Sequence, residues 1–196
     1  MPESLSSAQQ QRIVDFCQQG AFFTPQAPQR IQQYWQVLSH WQQKNNLTGF
    51  TDFDTWLTQG IFDAYGLMSE LEAGDRILDV GSGSGLPGLV VAICRDDVSV
   101  VAVERRQKRA AFLRAAAHAT ECSMRVIHGD VAQVTETFSV ITARALSQPL
   151  ALKAMTDHCQ EPKTRWICPQ KPIGTLTEGS WHSWTYHGHT YHWWVG

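Results

Sequence analysis

The sequence predicts an α/β domain with a mostly parallel, seven-stranded sheet, closed by a C-terminal antiparallel hairpin and preceded by a helical extension. Three observations predict it. From Arg76 onward short apolar runs alternate with segments of helical period. The run Arg76-Ile77-Leu78-Asp79-Val80-Gly81-Ser82-Gly83-Ser84-Gly85-Leu86-Pro87-Gly88 passes from a buried strand through glycines into an apolar helix. In the tail, two alternating aromatic stretches, 183–186 and 190–195, flank His187-Gly188-His189 as hairpin strands flank a turn. The boundary is drawn at 1–72 for the extension and 73–196 for the ligand-binding domain.

Taken in order, residues 8–19 carry Ile13, Phe16 and Cys17 on one face, and 28–45 carry Ile31, Tyr34, Trp35, Leu38 and Trp41 at three-and-four spacing. Thr24-Pro25 and Ala27-Pro28 separate them. A third helix over 53–71 presents Trp56, Leu57, Ile61, Tyr65, Met68 and Leu71. Short amphipathic helices are marginal alone, so these three must pack on something. Strands are expected at 76–80, 98–104, 124–128, 138–142 and 164–168, and helices at 87–95, 105–119 and 148–158. Parallel strands joined through helices imply right-handed crossovers.

Composition narrows the class. At 196 residues the chain can bury a core without a disulfide or metal staple. Its five cysteines (Cys17, Cys94, Cys122, Cys159 and Cys168) are scattered with no Cys-x-x-Cys pair, which suits reduced thiols in the cytoplasm. No segment has the pattern of a signal peptide, and no apolar run approaches the roughly 20 residues of a membrane helix. A metal is not expected: His182, His187, His189 and His192 lie in the aromatic tail without a neighbouring carboxylate or cysteine. Net charge is −2, yet residues 95–125 hold Arg95, Arg105, Arg106, Lys108, Arg109, Arg114 and Arg125 against Asp96, Asp97, Glu104 and Glu121. Arg105, Arg106, Lys108 and Arg109 crowd one helix start, where the helix dipole disfavours cations, and a phosphate-bearing partner would offset that repulsion.

The glycine run carries the chemistry. Glycines let the backbone turn sharply and leave bare main chain for a ligand, and a strand, glycine loop and helix N-terminus are expected to aim unpaired N–H groups at one point. Gly83-x-Gly85-x-x-Gly88 fits the dinucleotide fingerprint, while Asp79-x-Gly81-x-Gly83-x-Gly85 resembles the first motif of S-adenosylmethionine (SAM) methyltransferases. Both readings use Glu104 at the end of the next strand as acceptor for ribose hydroxyls. The dinucleotide reading leaves Gly81-Ser82 unexplained; the methyltransferase reading places Asp79 near the charged amino-acid end of the cofactor.

Further motifs recur together in one family: Asn45-Asn46-Leu47-Thr48, Ile61-Phe62-Asp63, the loop ending Gly85-Leu86-Pro87-Gly88, Arg109-Ala110-Ala111-Phe112-Leu113-Arg114 and Thr142-Ala143-Arg144-Ala145. Over roughly residues 30–171 the chain resembles the bacterial 16S rRNA (guanine-N7)-methyltransferase G family (RsmG/GidB). The resemblance implies a class I SAM-dependent methyltransferase fold, SAM as cofactor and a guanine in 16S rRNA, within the 30S particle, as substrate. It implies a cofactor site of Asp79, Gly81, Ser82, Gly83, Gly85, Leu86 and Glu104, with Asp130, Val131 and Ala132 at the adenine and Arg144 near both SAM and the target base. Asn46, Arg105, Arg106, Lys108, Arg109 and Lys171 are the candidate RNA contacts, and a monomer is expected.

Three departures stand out. Gln59-Gly60 replaces the family's usual Arg-His, Asp130-Val131-Ala132 its Arg-Ala-Glu, and Pro169-Gln170-Lys171-Pro172 only loosely matches its Leu-Lys-Gly. N7 of guanine carries a lone pair and no proton, so its methylation needs no general base, and Arg144 is expected to position rather than to exchange protons. Neither Asn-Pro-Pro-Tyr nor Asp-Pro-Pro-Tyr, expected for exocyclic amines, follows the fourth strand. Other readings left open are a small NAD-binding module, a non-catalytic SAM-fold ribosome-assembly binder, and a methyltransferase of another RNA or a small molecule.

Overall fold

Ser6 starts the first helix by a reciprocal cap, its hydroxyl accepting from the Gln9 N–H while the Gln9 side chain accepts from the Ser6 N–H at 2.9 Å. The computed structural model describes residues 5–43, 45–144, 149–171 and 179–196. Helix α1 (Ser7–Cys17) buries Ile13 and Phe16; α2 (Ala27–Gln42), with a proline in its first turn, buries Ile31, Tyr34, Trp35 and Leu38. It stops three residues before the expected end, because the Gln42 side chain accepts the Leu47 and Thr48 N–H groups and donates to the Thr48 carbonyl.

The expected third helix is broken into pieces. A short α3 (Phe53–Trp56), capped by Asp52, leads into a π turn over Leu57–Ile61, a 3-10 turn over Phe62–Ala64 and α4 (Tyr65–Glu70). Glycine weakens a helix interior by about 1 kcal/mol, and Gly60 falls within the widened turn, where Phe62 donates back to the Leu57 carbonyl. The remaining aromatic side chains of this segment still face inward.

Then come β1 (Arg76–Val80), α5 (Gly88–Cys94), β2 (Ser99–Glu104), α6 (Gln107–Ala119), β3 (Met124–His128), β4 (Phe138–Thr142), α7 (Pro149–Met155), β5 (Gln160–Pro169), β6 (Ser180–Tyr186) and β7 (His189–Val195). The sheet order is β3-β2-β1-β4-β5-β7-β6, parallel except at β7, which runs antiparallel to both β5 and β6. The order reverses between β1 and β4, so the carboxyl ends of those strands open a crevice where ligands of such sheets bind. Within the sheet domain, of the boundaries expected over 76–168, two differ by three or more residues and the others by at most two. The helix expected over 148–158, whose first residue lies outside the described residues, ends at Met155: the Thr156 hydroxyl bonds back to the Leu152 carbonyl and receives the Trp166 indole N–H at 3.0 Å. Strand β5 begins at Gln160 rather than 164, held through an irregular start by Thr164, which accepts the Glu161 N–H and donates to the Phe138 carbonyl.

Strand alternation sorts the core onto two faces. Ile77, Val100, Ala102, Val140 and Ile167 face one apolar cluster together with α1–α6, so the N-terminal helices and the sheet share a core; Leu78, Val80, Val101, Val103 and Ile141 face the other, under α7. The hairpin joins the first cluster through aromatic stacking. Tyr65 and Trp184 lie face to face at 4.0 Å, Trp184 and Tyr186 at 4.9 Å. The tail tryptophans are packing elements. Helix and hairpin meet closely at Gly66, where an added Cβ would stand 2.2 Å from the Trp193 ring, itself fixed by an indole bond to Glu70 at 3.0 Å. Gly66→Ala is therefore expected to lower stability by about 1–3 kcal/mol, despite alanine's better helix propensity, read as a drop in the urea midpoint at constant slope.

Candidate functional site

Asp79 is the next-to-last residue of β1 before the glycine loop, and it is wholly buried. Its Oδ2 accepts the Gly88 N–H at 3.1 Å, tying the strand end to the first residue of α5 across the loop. Gly88 has to be glycine: a Cβ there would sit 2.4 Å from that oxygen. Asp79 Oδ1 has no hydrogen-bond partner among the described residues. Burial pushes this carboxyl up to about 6, opposed by the Ser82 hydroxyl and the Gly88 N–H.

The loop itself has left-handed backbone at Gly81, Gly83 and Gly85. Its N–H groups do not converge on an open point as the sequence reading expected. Gly81 and Ser82 donate to the Val103 carbonyl, Gly83 to Glu104 Oε2 at 3.0 Å, and Gly85 and Leu86 to the Ser82 carbonyl. A pyrophosphate would need those donors, so the dinucleotide reading loses its physical basis. What the loop offers is bare main chain and a nearby carboxylate. Glu104, 5% exposed, also accepts the Arg106 N–H at 2.7 Å, and each of its oxygens keeps a lone pair for a hydroxyl donor.

A cavity of about 730 Å3 lies against this loop, between Val80, Gly81, Val103 and Glu104 on one side and Asp130, Val131 and Met155 on the other. Gly81, Glu104, Asp130 and Val131 meet there as the sequence reading expected. Other residues are placed differently. Leu86 turns into the core, its Cδ1 3.2 Å from the point where a Gly60 Cβ would stand, and buried Ser82 bonds back to the Asp79 carbonyl. Gly83 and Gly85 shape the loop and do not form the cavity wall. Ala132 has its N–H occupied by Asp130 Oδ1 at 3.0 Å, which caps the 3-10 turn Val131–Gln133. Arg105, Arg106 and Arg109 line this same cavity, with Arg105, Arg106 and Lys108 exposed at the helix start, because α6 begins three residues after Glu104. Arg105 pairs with Asp130 at 3.4 Å.

Arg144 closes the other side of the crevice, two residues beyond the end of β4. Its Nε bonds Asp63 Oδ2 at 2.9 Å, its Nη2 donates to the Gln59 carbonyl within the π turn, and its guanidinium lies over the Phe50 ring at 5.9 Å. Burial pushes the Asp63 carboxyl above the usual carboxylate range and the arginine opposes it. Arg144 and Lys171 share a second, separate cavity. Asn46, a candidate RNA contact, is exposed in a turn organised by the Gln42 side chain. Sequence reasoning assigned no role to Tyr34, whose hydroxyl donates to the Ser84 carbonyl and anchors the loop from α2, nor to Asp63. Among the described residues no three His, Cys, Asp or Glu gather as metal ligands, and no helix is long and apolar enough to cross a membrane.

The family model of the rRNA small subunit methyltransferase G (GidB) proteins matches residues 27–170, from the start of α2 to the end of β5. The chain belongs to this family. Relatives named ribosomal RNA small subunit methyltransferase G include those of Methylobacillus flagellatus, 29% identical over 167 residues covering 81% of each chain, and of Neisseria gonorrhoeae, 31% identical over 159 residues covering 78% of this chain and 77% of the relative. That of Polaromonas naphthalenivorans is 38% identical over 144 residues, 68% of this chain and 65% of its own. The fold is shared with coclaurine N-methyltransferase bound to N-methylheliamine and S-adenosylhomocysteine (TM-score 0.53, 18% identity, 83% of this chain and 51% of that one). It is also shared with the B. subtilis m1A22 tRNA methyltransferase TrmK (TM-score 0.53, 15% identity, 68% and 64%). This member of the G family is thus a SAM-dependent rRNA methyltransferase with the class I fold.

Two outcomes test the site. Replacing Glu104 by glutamine removes a charged acceptor worth about 1.5–3 kcal/mol, so affinity for S-adenosylhomocysteine is expected to fall ten- to a hundredfold by calorimetry. Asp79, raised from an unfolded value of 3.8 to about 6, holds its proton in the native state while the unfolded chain loses it. Its contribution to stability therefore falls as pH rises from about 4 to about 6, by about 3 kcal/mol, and is level above that. In urea titrations across that range, the stability of the parent protein relative to Asp79→Asn is expected to decline with pH; a flat difference contradicts the assignment.

Proposed function

We propose that this protein transfers the methyl group of SAM to N7 of a guanine in 16S rRNA, acting as a cytoplasmic monomer on the 30S particle. The observation that carries the reading is the crevice at the β1/β4 reversal: a carboxylate-walled cavity with an inward-bonded glycine loop on one side, and an arginine at the end of β4 on the other. The residues present fit SAM. Glu104 would hold the ribose hydroxyls, Val103 and Val131 the adenine faces, and the negative charge of Asp79, with its orphaned oxygen, complements a cationic methionine end.

SAM supplies an electrophilic methyl on a sulfonium whose departure leaves a neutral thioether. N7 attacks with a free lone pair, so the protein has no proton to remove. What remains for its side chains is alignment and exclusion of water, effects that reach about 7–11 kcal/mol in well-oriented reactions. Arg144, held on Asp63 and the Gln59 carbonyl, is a pre-aimed cation at the substrate side of the crevice. Arg105, Arg106 and Arg109 overhang the cofactor cavity, where they would meet RNA phosphates lying across its mouth.

Labelled methyl from SAM is expected on a single guanine N7, located by mass spectrometry, when the protein is given 30S particles from cells lacking it. Parallel reactions with naked 16S rRNA separate the particle from the free RNA as substrate. SAM binding with no label on either would sink the proposal and favour the non-catalytic or altered-substrate readings.

A further inference from the structure

The second cavity, of about 420 Å3, lies between the π turn, residues 169–171 at the end of β5 and the far end of β7. Its chemistry is one-sided. Tyr191, 7% exposed, lines it and has a buried hydroxyl with no hydrogen-bond partner among the described residues, and the buried Nε2 of Gln170, on the same wall, has none there either. A buried donor without an acceptor costs about 1–3 kcal/mol, and here two stand together. Arg144 and Lys171 add two positive charges against Asp63, the one carboxylate among the described lining residues, which Arg144 already bonds.

The donors are held rigidly. The Gln170 N–H donates to the His192 carbonyl at 3.0 Å, continuing the pairing of Pro169 with Trp193, and the Tyr191 ring packs on Phe62 and Trp184. Burial pushes the Tyr191 phenol up to about 12, with Asp63 adding to the shift, so the hydroxyl keeps its proton and remains a donor. The ends of β5 and β7 line this cavity and those of β1 and β2 the other, so the two lie on opposite sides of the reversal. Four of its eleven lining residues come from β7, which lies beyond residue 170, where the family match ends.

We propose that this cavity is a phosphodiester subsite that grips the RNA strand beside the target guanine, with the Tyr191 hydroxyl and the Gln170 amide donating to phosphate oxygens and Lys171 and Arg144 supplying charge. It rests on RNA being the substrate. The same chemistry would accept the phosphate of a free nucleotide, and the test separates phosphate from base.

The probe is a fluorescein-labelled, guanine-containing oligoribonucleotide, followed by anisotropy in the presence of S-adenosylhomocysteine between roughly 50 and 200 mM salt. Tyr191→Phe is expected to keep the melting temperature and the S-adenosylhomocysteine affinity while weakening the oligonucleotide about tenfold. Lys171→Ala should lower the slope of log affinity against log salt by about 0.7. Guanosine 5′-monophosphate should displace the probe and guanosine should not; a free nucleotide that binds while the oligonucleotide does not overturns the RNA-strand assignment. Equal displacement by guanosine, unchanged affinity and slope in both variants, or no binding by the unaltered protein overturns the subsite. Methyl transfer to 30S particles is measured alongside. Probe binding that the two variants weaken, with no guanine labelled, keeps the subsite and removes the methyl-transfer reading; labelling by both variants with unchanged KM for the particle does the reverse.

Discussion

The geometry of the candidate site depends on a carboxylate placed where water cannot reach it. Asp79 is buried beneath the glycine loop, and its bond to the Gly88 N–H ties the end of β1 to the start of α5. That bond sets the width of the loop, requires a residue without a Cβ at 88, and leaves one carboxylate oxygen unsatisfied at the carboxyl end of the central strand. Glu104 repeats the device from β2 by taking the Gly83 N–H. With both carboxylates bonded inward to main chain, the loop is stiff and electronegative before any ligand arrives. Such carboxylates suit a cation and a ribose.

The N-terminal helices take part in this arrangement. Tyr34 reaches from α2 to the Ser84 carbonyl, Leu86 packs near Gly60 and Phe50, and the Gln59 carbonyl receives Arg144. The loop and the β4 arginine are thus positioned from the same side by residues that precede the sheet in the chain. An extension that only covered apolar surface would not need to reach polar groups at the crevice.

Much of this was legible in the sequence because it follows from local rules. The β1 boundary, the sheet's alternation and the hairpin come from periodicity and turn residues, and Asp79, Gly81 and Glu104 from their spacing around one turn. What was not legible depends on which groups meet across long separations. Nothing in the order of residues shows that loop N–H groups find Val103 and Glu104 rather than a ligand, or that Ala132 spends its N–H on Asp130. The basic cluster was visible as charge, but its direction depends on how soon α6 starts after Glu104. Tyr191 and Gln170 gave no signal at all, since an alternating aromatic strand reads as core, and only the fold brings the end of β5 against β7.

The π turn at Leu57–Ile61 has a further consequence. Such a turn holds one residue more than a regular helix would, and each residue of an α-helix advances the face by about 100°. Deleting one residue there would tidy the hydrogen bonds and rotate everything downstream: Tyr65 would leave Trp184, and Gly66 would no longer face Trp193. The apparent defect works as a phase adjuster between two stretches of one helix, aligning the upstream part with α2 and the downstream part with the hairpin. Length changes in this segment are therefore constrained far more tightly than its composition, and substitutions at its exposed positions should be accepted where a single deletion is not.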